Sequence, residues 1–393
     1  MEIKTTILTN NHLTITTFKV CITTAKLSPA LFLYYGSQIV YLVEHERYAR
    51  LVCRDMLQTV LYRTPASYFS IFYSSLPPMN PTFHDIHIAH ERIKPFIHRT
   101  PLLTSRLFDE WTGGSIFFKC ENFQKVAAFK ARGAFNTVFS LSEEEAQRGI
   151  VTHSSGNHAA AVALAAKTRG VPAFIVMPEN SPQIKKNAVM SYGGEIIYCG
   201  NTQADRENTA AEVMQRTHAT FVHPYNDLRV ITGQATCAKE VLEDVSNLDY
   251  ILAPVSGGGL LAGTALSAKI INPHIQVIGC EPDEADDAFR SHRDGKIYPA
   301  ITPPTTICDG LRTSLGTLTF PIIHEQVSAI HTVSENAIIR AMRTVWEVLK
   351  IIIEPSCAVP VAVLLEKKLD IRGKRVGVIL TGGNVDLERL PWQ

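Results

Sequence analysis

Three short segments of the sequence combine residue types that can bind and react with a small anionic molecule. The first contains Lys130, which stands between Phe129 and Ala131 at the start of a stretch with helical character. An apolar setting disfavours the ammonium form of a lysine and leaves a neutral, nucleophilic amine. A single lysine is more often a solvated surface charge, so the surrounding residues must decide between a reactive amine and an ordinary surface side chain.

The second segment is a run of three glycines. Ser256-Gly257-Gly258-Gly259 directly follows the apolar stretch YILAPV and precedes a helical stretch. Backbone N–H groups that no side chain covers can converge on an anion there, and the helix dipole adds positive potential. The run predicts a phosphate-binding turn, with a simple packing turn as the alternative. It lacks both the lysine of a Walker loop and the spacing of a dinucleotide fingerprint, so neither ATP hydrolysis nor NAD binding follows.

The third segment is Ser154-Ser155-Gly156-Asn157-His158, between the apolar GIVTH and an alanine-rich stretch. Exposed N–H groups at a helix start can hold a substrate carboxylate. The amide of Asn157 can in addition orient a ring oxygen. The alternative is an ordinary helix N-cap, because Ser and Asn are good capping residues.

These segments lie where short apolar runs give way to helical stretches. The runs are rich in Ile and Val and bounded by Gly or Pro, as expected of strands buried on both faces. Alternating strands and helices predict an α/β fold with parallel sheets and helices on both faces. The predicted strands cover residues 115–122, 171–178, 194–199, 250–256, 275–282 and 375–383, and the predicted helices cover 84–97, 159–170 and 260–271.

Composition excludes several classes of protein. Of 393 residues, 46% are hydrophobic and 19% charged, and 38 Lys and Arg nearly balance 37 Asp and Glu, which excludes a disordered or collagen-like chain. A net charge of +1 without a basic run argues against nucleic-acid binding. The 8 cysteines are scattered singly, and no apolar run is long enough for a membrane span. We therefore expect a cytoplasmic protein with no membrane partner.

The first 78 residues differ in composition from the rest. Residues 1–26 are rich in Thr and β-branched residues, and residues 39–63 have apolar groups at helical spacing, which predicts a helix. Pro77-Pro78 then marks a boundary. We interpret residues 1–78 as an extension of unknown role, with a targeting segment or an interaction helix as alternatives.

From about residue 79 to 387 the chain resembles the pyridoxal-phosphate enzymes of the tryptophan-synthase-β-like fold, especially serine racemases and serine/threonine dehydratases. The resemblance implies two open twisted parallel-sheet domains with helices on both faces: a large cofactor-binding domain of residues 79–147 and 227–393, and a small domain of residues 148–226. It also implies a homodimer. Seven motifs in family order carry it: ENFQKVAAFKARGAFN, THSSGNHAAA, HPYND followed by TGQAT, APVSGGGLLAG, EPDEADD, IEP and TGGNVDL.

By position, the resemblance assigns the residues that hold pyridoxal 5'-phosphate. Lys130 binds the coenzyme covalently, Phe129 lies against its ring, and Asn157 donates to its phenolic oxygen. Thr381 is the hydroxyl partner of the pyridine nitrogen, a partner that makes the ring a weaker electron sink than an aspartate would. The residues implied to surround the phosphate are Ser256, Gly257, Gly258, Gly259 and Leu260.

The resemblance further implies an amino-acid substrate and two reactions from one deprotonated intermediate. The Lys130 amine removes the Cα proton. Loss of the β-hydroxyl of L-serine or L-threonine then gives a 2-keto acid and ammonia, whereas a proton from Ser155 on the opposite face gives racemisation. Cysteine synthase-like β-replacement and a non-catalytic metabolite-binding module are the alternatives. The residues implied to bind substrate are Ser154, Ser155, Asn157, His158, Arg206 and Thr313.

Glu281, the Ala285 carbonyl and Asp287 match the divalent-cation site of the family. Oxygen-only ligation suits Mg²⁺ or Ca²⁺, while a solvated acidic turn is the alternative for the same residues.

Several positions depart from the family pattern. Val126 and Ala127 replace the Thr-Gly that is common before the reactive lysine, and so add a Cβ where backbone and cofactor come close. Ala160 stands where serine racemases have a glutamine linked to nucleotide activation, and Tyr225 where animal racemases have asparagine. Since the chain ends soon after TGGNVDL, we expect no inhibition by isoleucine.

Overall fold

The computed structural model describes residues 80–393, apart from Pro182, and the backbone of five strands between residues 2 and 41. Contacts divide the chain into two units, residues 1–78 and residues 79–393. Among the described residues, no helix is both long and apolar enough to cross a membrane.

In the first unit, strands β1 (Glu2–Thr9) and β2 (His12–Lys19) pair antiparallel, and β3 (Cys21–Thr23), β4 (Ala30–Tyr35) and β5 (Gln38–Tyr41) form a second antiparallel sheet. The helix predicted for residues 39–63 is wrong at its start, because residues 39–41 belong to β5. Ile, Val and Tyr favour strands, and apolar spacing over so short a run does not separate the two structures. Residues 42–63 lie outside the described part.

The second unit contains a six-stranded sheet in the order β14-β13-β12-β15-β7-β6. All its neighbours are parallel except the two-residue edge strand β6, which pairs antiparallel to β7. Parallel pairing requires crossovers, and the alternating sequence supplies them as helices. The strands are β6 (Leu102–Leu103), β7 (Ser115–Cys120), β12 (Tyr250–Pro254), β13 (Gln276–Pro282), β14 (Ala329–Val333) and β15 (Arg375–Leu380).

Successive residues of these strands enter two separate cores. On β12, Leu252 joins a core with the helices of residues 335–365, whereas Ile251 and Ala253 join one with the helices of residues 228–271. On β15, Val378 joins the first of these cores and Ile379 joins the second. Burial on both faces explains why the strands appear as continuous apolar runs, and it confirms the prediction of helices on both sides.

A second sheet contains four parallel strands in the order β10-β9-β8-β11. They are β8 (Ile150–His153), β9 (Ala173–Pro178), β10 (Glu195–Cys199) and β11 (Thr220–Phe221). All four fall within residues 148–226, the segment predicted as a small domain; the domain boundaries themselves stay a prediction. Ile175 of β9 packs toward one core and Val176 toward another, so this sheet too is covered on both sides.

Thirteen helices flank the two sheets in the part of the chain from residue 80 onward. They are α1 (Phe83–Ile93), α2 (Arg106–Thr112), α3 (Lys130–Ser140), α4 (Glu143–Gln147), α5 (Asn157–Arg169), α6 (Gln183–Ser191), α7 (Gln203–Thr217), α8 (Leu228–Asp244), α9 (Gly259–Ile271), α10 (Asp287–Asp294), α11 (Thr319–Gln326), α12 (Glu335–Leu349) and α13 (Pro355–Leu365).

A buried network of charges joins β7, α3 and α8. The guanidinium of Arg132 donates to Glu121 at 2.7 Å and to Glu240 at 2.8 Å, and the Lys119 ammonium donates to Glu240 at 2.6 Å. All four side chains are at most 1% exposed. Burial alone would raise the pKa of Glu240, but the hydrogen bonds and charge of Arg132 lower it to about 2. The network fixes α3, which begins with Lys130.

Replacing Arg132 is expected to reveal how much the fold depends on this network. Arg132→Met leaves two buried carboxylates without their shared partner, so the free energy of unfolding should fall by about 3–5 kcal/mol. Urea denaturation measures the change. Arg148→Met, which breaks the exposed pair with Glu144, is the control and should change little. A loss as small as that of the control would contradict the account.

Candidate active site

Lys130 is the first residue of α3, at the carboxyl end of the large sheet. The backbone N–H of Phe129 donates to the Thr381 carbonyl at 3.0 Å, and Ala128 forms an isolated bridge with Gly382. These contacts join the start of α3 to the segment after β15. The ammonium of Lys130 donates to the Pro224 carbonyl at 2.9 Å and lies 5.1 Å from the centre of the Phe129 ring.

The surroundings of Lys130 favour its neutral form. Burial lowers the pKa of Lys130 to about 8, and the carboxyl of Glu354 opposes the shift. Burial also raises the pKa of Glu354, to about 8, and the charge of Asp309 adds to that effect. A lysine with this pKa is a nucleophile near neutral pH, which an ordinary surface lysine is not.

The turn before Lys130 has a strained backbone. Val126 and Ala127 have φ values of 54° and 51°, in the left-handed region that favours glycine. The Gly383 N–H donates to the Ala127 carbonyl at 3.0 Å, and the Asn384 side-chain amide donates to the Val126 carbonyl at 2.8 Å. Ala127, which replaces the glycine of the family pattern, therefore adds its Cβ at a position that disfavours one, and the segment after β15 holds the turn.

Ala127→Gly is expected to stabilise the protein, because glycine adopts the left-handed conformation without a Cβ clash. Relief of strain worth about 1–2 kcal/mol outweighs the extra unfolded-state entropy, for a net gain of about 0.5–1 kcal/mol. Ala211→Gly on the exposed face of α7 is the matched control and should lose about 1 kcal/mol. Thermal unfolding measures both, and a loss at both positions would contradict the strain.

Asn157 is the first residue of α5 and lies beside the buried carboxyl of Glu354. Its amide Nδ2 donates to the two Glu354 oxygens at 3.0 Å and 3.2 Å. Its Oδ1 accepts from the Asn384 amide at 3.0 Å. Asn157, at the start of the helix that follows β8, thus contacts Glu354 before α13 and Asn384 in the segment after β15.

A cluster of neutral histidines lies next to Lys130. Nδ1 of His223 accepts from the backbone N–H groups of Tyr225 at 3.2 Å and Asn226 at 2.9 Å. Burial, followed by the charges of His153 and Lys130, lowers the pKa of His223 to about 4. The His158 ring is buried, and its pKa is well below the ordinary value because of burial and the Lys130 charge. These histidines are therefore weak bases that stay neutral near physiological pH, and they do not compete with the Lys130 amine for a proton.

The three glycines follow β12 and begin α9, as the sequence predicts. Gly258 has a φ of 92°, and a Cβ there would lie 2.7 Å from Oγ1 of Thr319, so only glycine fits. A Cβ on Gly257 would lie 2.3 Å from the Tyr225 ring. Free N–H groups at the start of α9 form a cradle for an anion. Leu260 completes the first turn and is 5% exposed.

The remaining predicted residues lie around this centre or at its edge. Oγ of Ser256 accepts from the Thr313 N–H at 3.0 Å and contacts the Thr313 hydroxyl at 2.9 Å. Ser154 accepts from the Gly156 N–H at 3.3 Å, and Ser155 is partly exposed in the same loop.

Thr381 and Arg206 have different surroundings. Thr381 is 3% exposed and follows β15, beside Phe129. The guanidinium of Arg206 donates to the Thr202 carbonyl at 3.3 Å at the start of α7, and its charge acts on His153. The structure thus brings Lys130, Asn157 and Phe129 together but does not give Arg206 a contact with the Ser154–His158 loop; all these roles stay predictions.

The predicted cation ligands form a buried acidic pair. Glu281 accepts from the N–H groups of Ala288 at 3.0 Å and Phe289 at 2.8 Å. Burial raises the pKa of Asp287 to about 7, and burial together with Asp287 raises that of Glu281. Oδ2 of Asp287 is buried without a hydrogen-bond partner, and Ala285 is 4% exposed beside it. In residues 80–393, no three His, Cys, Asp or Glu side chains form a metal-binding cluster; the predicted set has only two carboxylates.

The sequence did not single out two residues that the geometry makes central, Glu354 and Asn384. Both belong to motifs of the family resemblance, IEP and TGGNVDL, but neither motif indicates which group its side chain contacts. Their partner Asn157 lies more than 190 positions away along the chain. Only the parallel sheets bring these segments together.

Comparison with known proteins identifies the family. The model of the family described as pyridoxal-phosphate dependent enzyme matches residues 93–382. A β-hydroxyaspartate dehydratase of Paracoccus denitrificans is 51% identical over 312 residues, covering 79% of this chain and 99% of the relative. A serine racemase of Arabidopsis thaliana is 50% identical over 309 residues, covering 77% of this chain and 92% of the relative.

A solved structure shows the same fold. The crystal structure of serine racemase from Dictyostelium discoideum superposes with a TM-score of 0.75 at 46% identity, over 78% of this chain and 99% of that one. The sequence resemblance and the predicted fold class are thereby confirmed. The desolvated amine of Lys130 and the turn at Gly258 that admits no Cβ also suit an aldehyde coenzyme that carries a phosphate. The chain therefore belongs to the family of pyridoxal-phosphate dependent enzymes.

Proposed function

We propose that the protein eliminates water and ammonia from β-hydroxy amino acids such as L-serine and L-threonine, and that it also racemises serine. The observation that carries the proposal is the buried Lys130 amine, whose pKa is lowered to about 8 and whose neighbouring carboxyl, Glu354, also accepts from Asn157. The relatives named as a dehydratase and as a racemase support the same pair of reactions.

In the proposed site, the residues of this chain bind the substrate and move its protons. Pyridoxal phosphate, when bound, withdraws electrons from Cα and so acidifies the Cα proton. The N–H groups at the start of α5 and the hydroxyls of Ser154 and Thr313 bind the substrate carboxylate. Nζ of Lys130 takes the Cα proton. Because its pKa is lowered to about 8, a much larger fraction of the amine is neutral, and therefore basic, near physiological pH than in an ordinary lysine.

The fate of the β-hydroxyl and of the proton decides the product. If the hydroxyl leaves with a proton as water, hydrolysis of the remaining enamine releases ammonia and the 2-keto acid. If the hydroxyl of Ser155 instead gives its proton to Cα on the face opposite Lys130, the amino acid is released with inverted configuration. Ser155 is partly exposed in the loop before α5, where a hydroxyl can exchange protons with solvent.

The products of L-serine test the proposal. Purified protein with pyridoxal phosphate should release pyruvate and D-serine, 2-oxobutyrate from L-threonine, and oxaloacetate if β-hydroxyaspartate is also accepted. Adding sulfide to a serine derivative tests the β-replacement alternative, since only that enzyme would form cysteine. If none of these products appears while the coenzyme is bound, the protein is a non-catalytic member of the fold and the proposal fails.

We also infer that Glu281, the Ala285 carbonyl and Asp287 bind Mg²⁺ or Ca²⁺. The inference is supported by two adjacent buried carboxylates with raised pKa values and by the partnerless Oδ2 of Asp287. A divalent cation would supply the missing opposite charge with the oxygen ligands it prefers.

Cation binding should stabilise the folded protein. At a concentration 100 times the dissociation constant, Mg²⁺ or Ca²⁺ should increase the free energy of unfolding by about 2.7 kcal/mol, which thermal unfolding detects as a higher Tm. Asp287→Asn should abolish the increase, whereas Asp283→Asn, at an exposed neighbour, should keep it. Equal increases in both variants would place the cation elsewhere.

The final part of the proposal is a homodimer in the cytoplasm. The family resemblance supports the dimer, and the singly placed cysteines support the compartment. Sedimentation of the purified protein tests the dimer, and fractionation of cells tests the compartment.

A further inference from the structure

The side chain of Asn384 bridges two elements of the site. Its amide Nδ2 donates one hydrogen to the Val126 carbonyl at 2.8 Å and the other to Oδ1 of Asn157 at 3.0 Å. Because a primary amide nitrogen carries two hydrogens, both are used. One small side chain in the segment after β15 therefore contacts the turn before Lys130 and the first residue of α5.

This contact determines which way the Asn157 amide faces. With Oδ1 accepting from Asn384, Nδ2 of Asn157 faces the Glu354 carboxyl at 3.0 Å and 3.2 Å. The reversed amide would set its NH₂ group against the NH₂ group of Asn384, two donors with no acceptor between them. The two Glu354 oxygens belong to one carboxyl group and lie in nearly the same direction from Nδ2, so they share one of its hydrogens. The second Nδ2 hydrogen points away from that carboxyl and is available to a ligand.

The second contact of Asn384, with the Val126 carbonyl, holds the turn that leads to Lys130. The Val126 carbonyl belongs to the left-handed turn that precedes Lys130, and a backbone bond from Gly383 to Ala127 holds the next residue of that turn. Two residues in a disfavoured conformation persist only where their surroundings hold them. The pair formed by Gly383 and Asn384 is that support.

We propose that Asn384 is a positioning residue with two effects. It orients the Asn157 amide so that an N–H of Asn157 faces the phenolic oxygen of pyridoxal phosphate, and it holds the turn that leads to Lys130. The proposal rests on the role of Asn157 in the proposed function. A donor at that oxygen stabilises the oxyanion of the bound coenzyme, so its loss weakens binding and makes the oxyanion harder to form.

Three substitutions separate orientation from simple packing. Asn384→Asp removes both donors and sets a carboxylate against Oδ1 of Asn157; Asn384→Ala removes the contact; Asn384→Gln keeps the donor on a longer side chain. Asn187→Asp is the matched control, because the exposed Asn187 of α6 accepts from Gln183 and an aspartate still can. Each variant is titrated with pyridoxal phosphate, and the visible absorption of the bound form is followed against pH. The Tm of the coenzyme-free protein is recorded beside them.

Asn384→Asp should bind pyridoxal phosphate about tenfold more weakly and shift the pH midpoint of the visible band upward by about one unit. Asn384→Ala should show a smaller change in the same direction, Asn384→Gln should recover part of the parent behaviour, and Asn187→Asp should match the parent. If Asn384→Asp does not fold, the coenzyme affinity and the pH midpoint of Asn384→Ala test the proposal in its place.

Two results would overturn the proposal. Affinity and midpoint equal to those of the parent would show that Asn157 does not need Asn384. A lower Tm of the coenzyme-free protein with unchanged affinity and midpoint would show a role in stability alone. Failure of the parent itself to bind pyridoxal phosphate is a different outcome, because it removes the proposed function together with this inference.

Discussion

Lys130→Ala is expected to lower the rate of pyruvate formation from L-serine by about 10⁴-fold or more, and to leave a protein that is colourless with pyridoxal phosphate. The substitution removes both the nucleophile that holds the coenzyme and the base that takes the Cα proton, and the reaction needs each of them. Burial lowers the pKa of Lys130 to about 8. In residues 80–393, no other lysine donates to the Pro224 carbonyl or lies over the Phe129 ring.

Two further variants test whether the loss of activity is specific to the neutral amine of Lys130. Lys130→Arg keeps a positive charge at the site but cannot supply a neutral amine, because a guanidinium stays protonated at any pH the protein survives. It should therefore be as inactive as the alanine variant. Lys167→Ala, on the exposed side of α5, should keep full activity. Residual activity of Lys130→Arg above a tenth of the parent value would rule out the proposed base.

Ser155→Ala is expected to separate the two reactions. Formation of D-serine from L-serine should fall by about 10²–10³-fold, because the variant lacks the hydroxyl that delivers a proton to the second face of Cα. Pyruvate formation should fall by less than about threefold, since elimination needs only the base on the Lys130 face. Chiral chromatography of serine and an assay for pyruvate measure both rates in one incubation.

Ser154→Ala is the matched control for that experiment. Ser154 lies in the same loop and accepts from the Gly156 N–H, but its proposed role is to bind the carboxylate that both reactions share. Its loss should raise KM for both reactions by similar factors. Equal losses of D-serine and pyruvate in Ser155→Ala would refute the assignment of Ser155 as the second proton donor.

The sequence was most informative where its local pattern has a direct structural meaning. Short Ile- and Val-rich runs predicted six strands that the structure confirms, because strands that are buried on both faces over most of their length are rich in apolar residues. The junctions at Lys130, Asn157 and Gly259 are helix starts as expected. Backbone N–H groups exposed at such starts are what makes them candidate binding sites, and that property needs no tertiary information.

What the sequence missed depends on contacts between distant segments or on backbone conformation. Nothing in IEP or TGGNVDL indicates that Glu354 and Asn384 meet Asn157. The left-handed conformation of Val126 and Ala127 cannot be predicted from the sequence, because neither residue type favours it and only the surroundings impose it.

The edge strand and the N-terminal helix show the limits of periodicity. The edge strand β6 is too short to produce a pattern. The helix predicted for residues 39–63 begins in a strand, because apolar spacing over a few residues fits both structures.

The proposed active site depends most on the identity of the residue that bonds to the coenzyme. The direct measurement is to add pyridoxal phosphate, reduce with borohydride, digest the protein and locate the added mass by mass spectrometry. The mass should be found on the peptide that contains Lys130 and should be absent from Lys130→Ala. An adduct on a different lysine, or none at saturating coenzyme, would contradict the proposed active site.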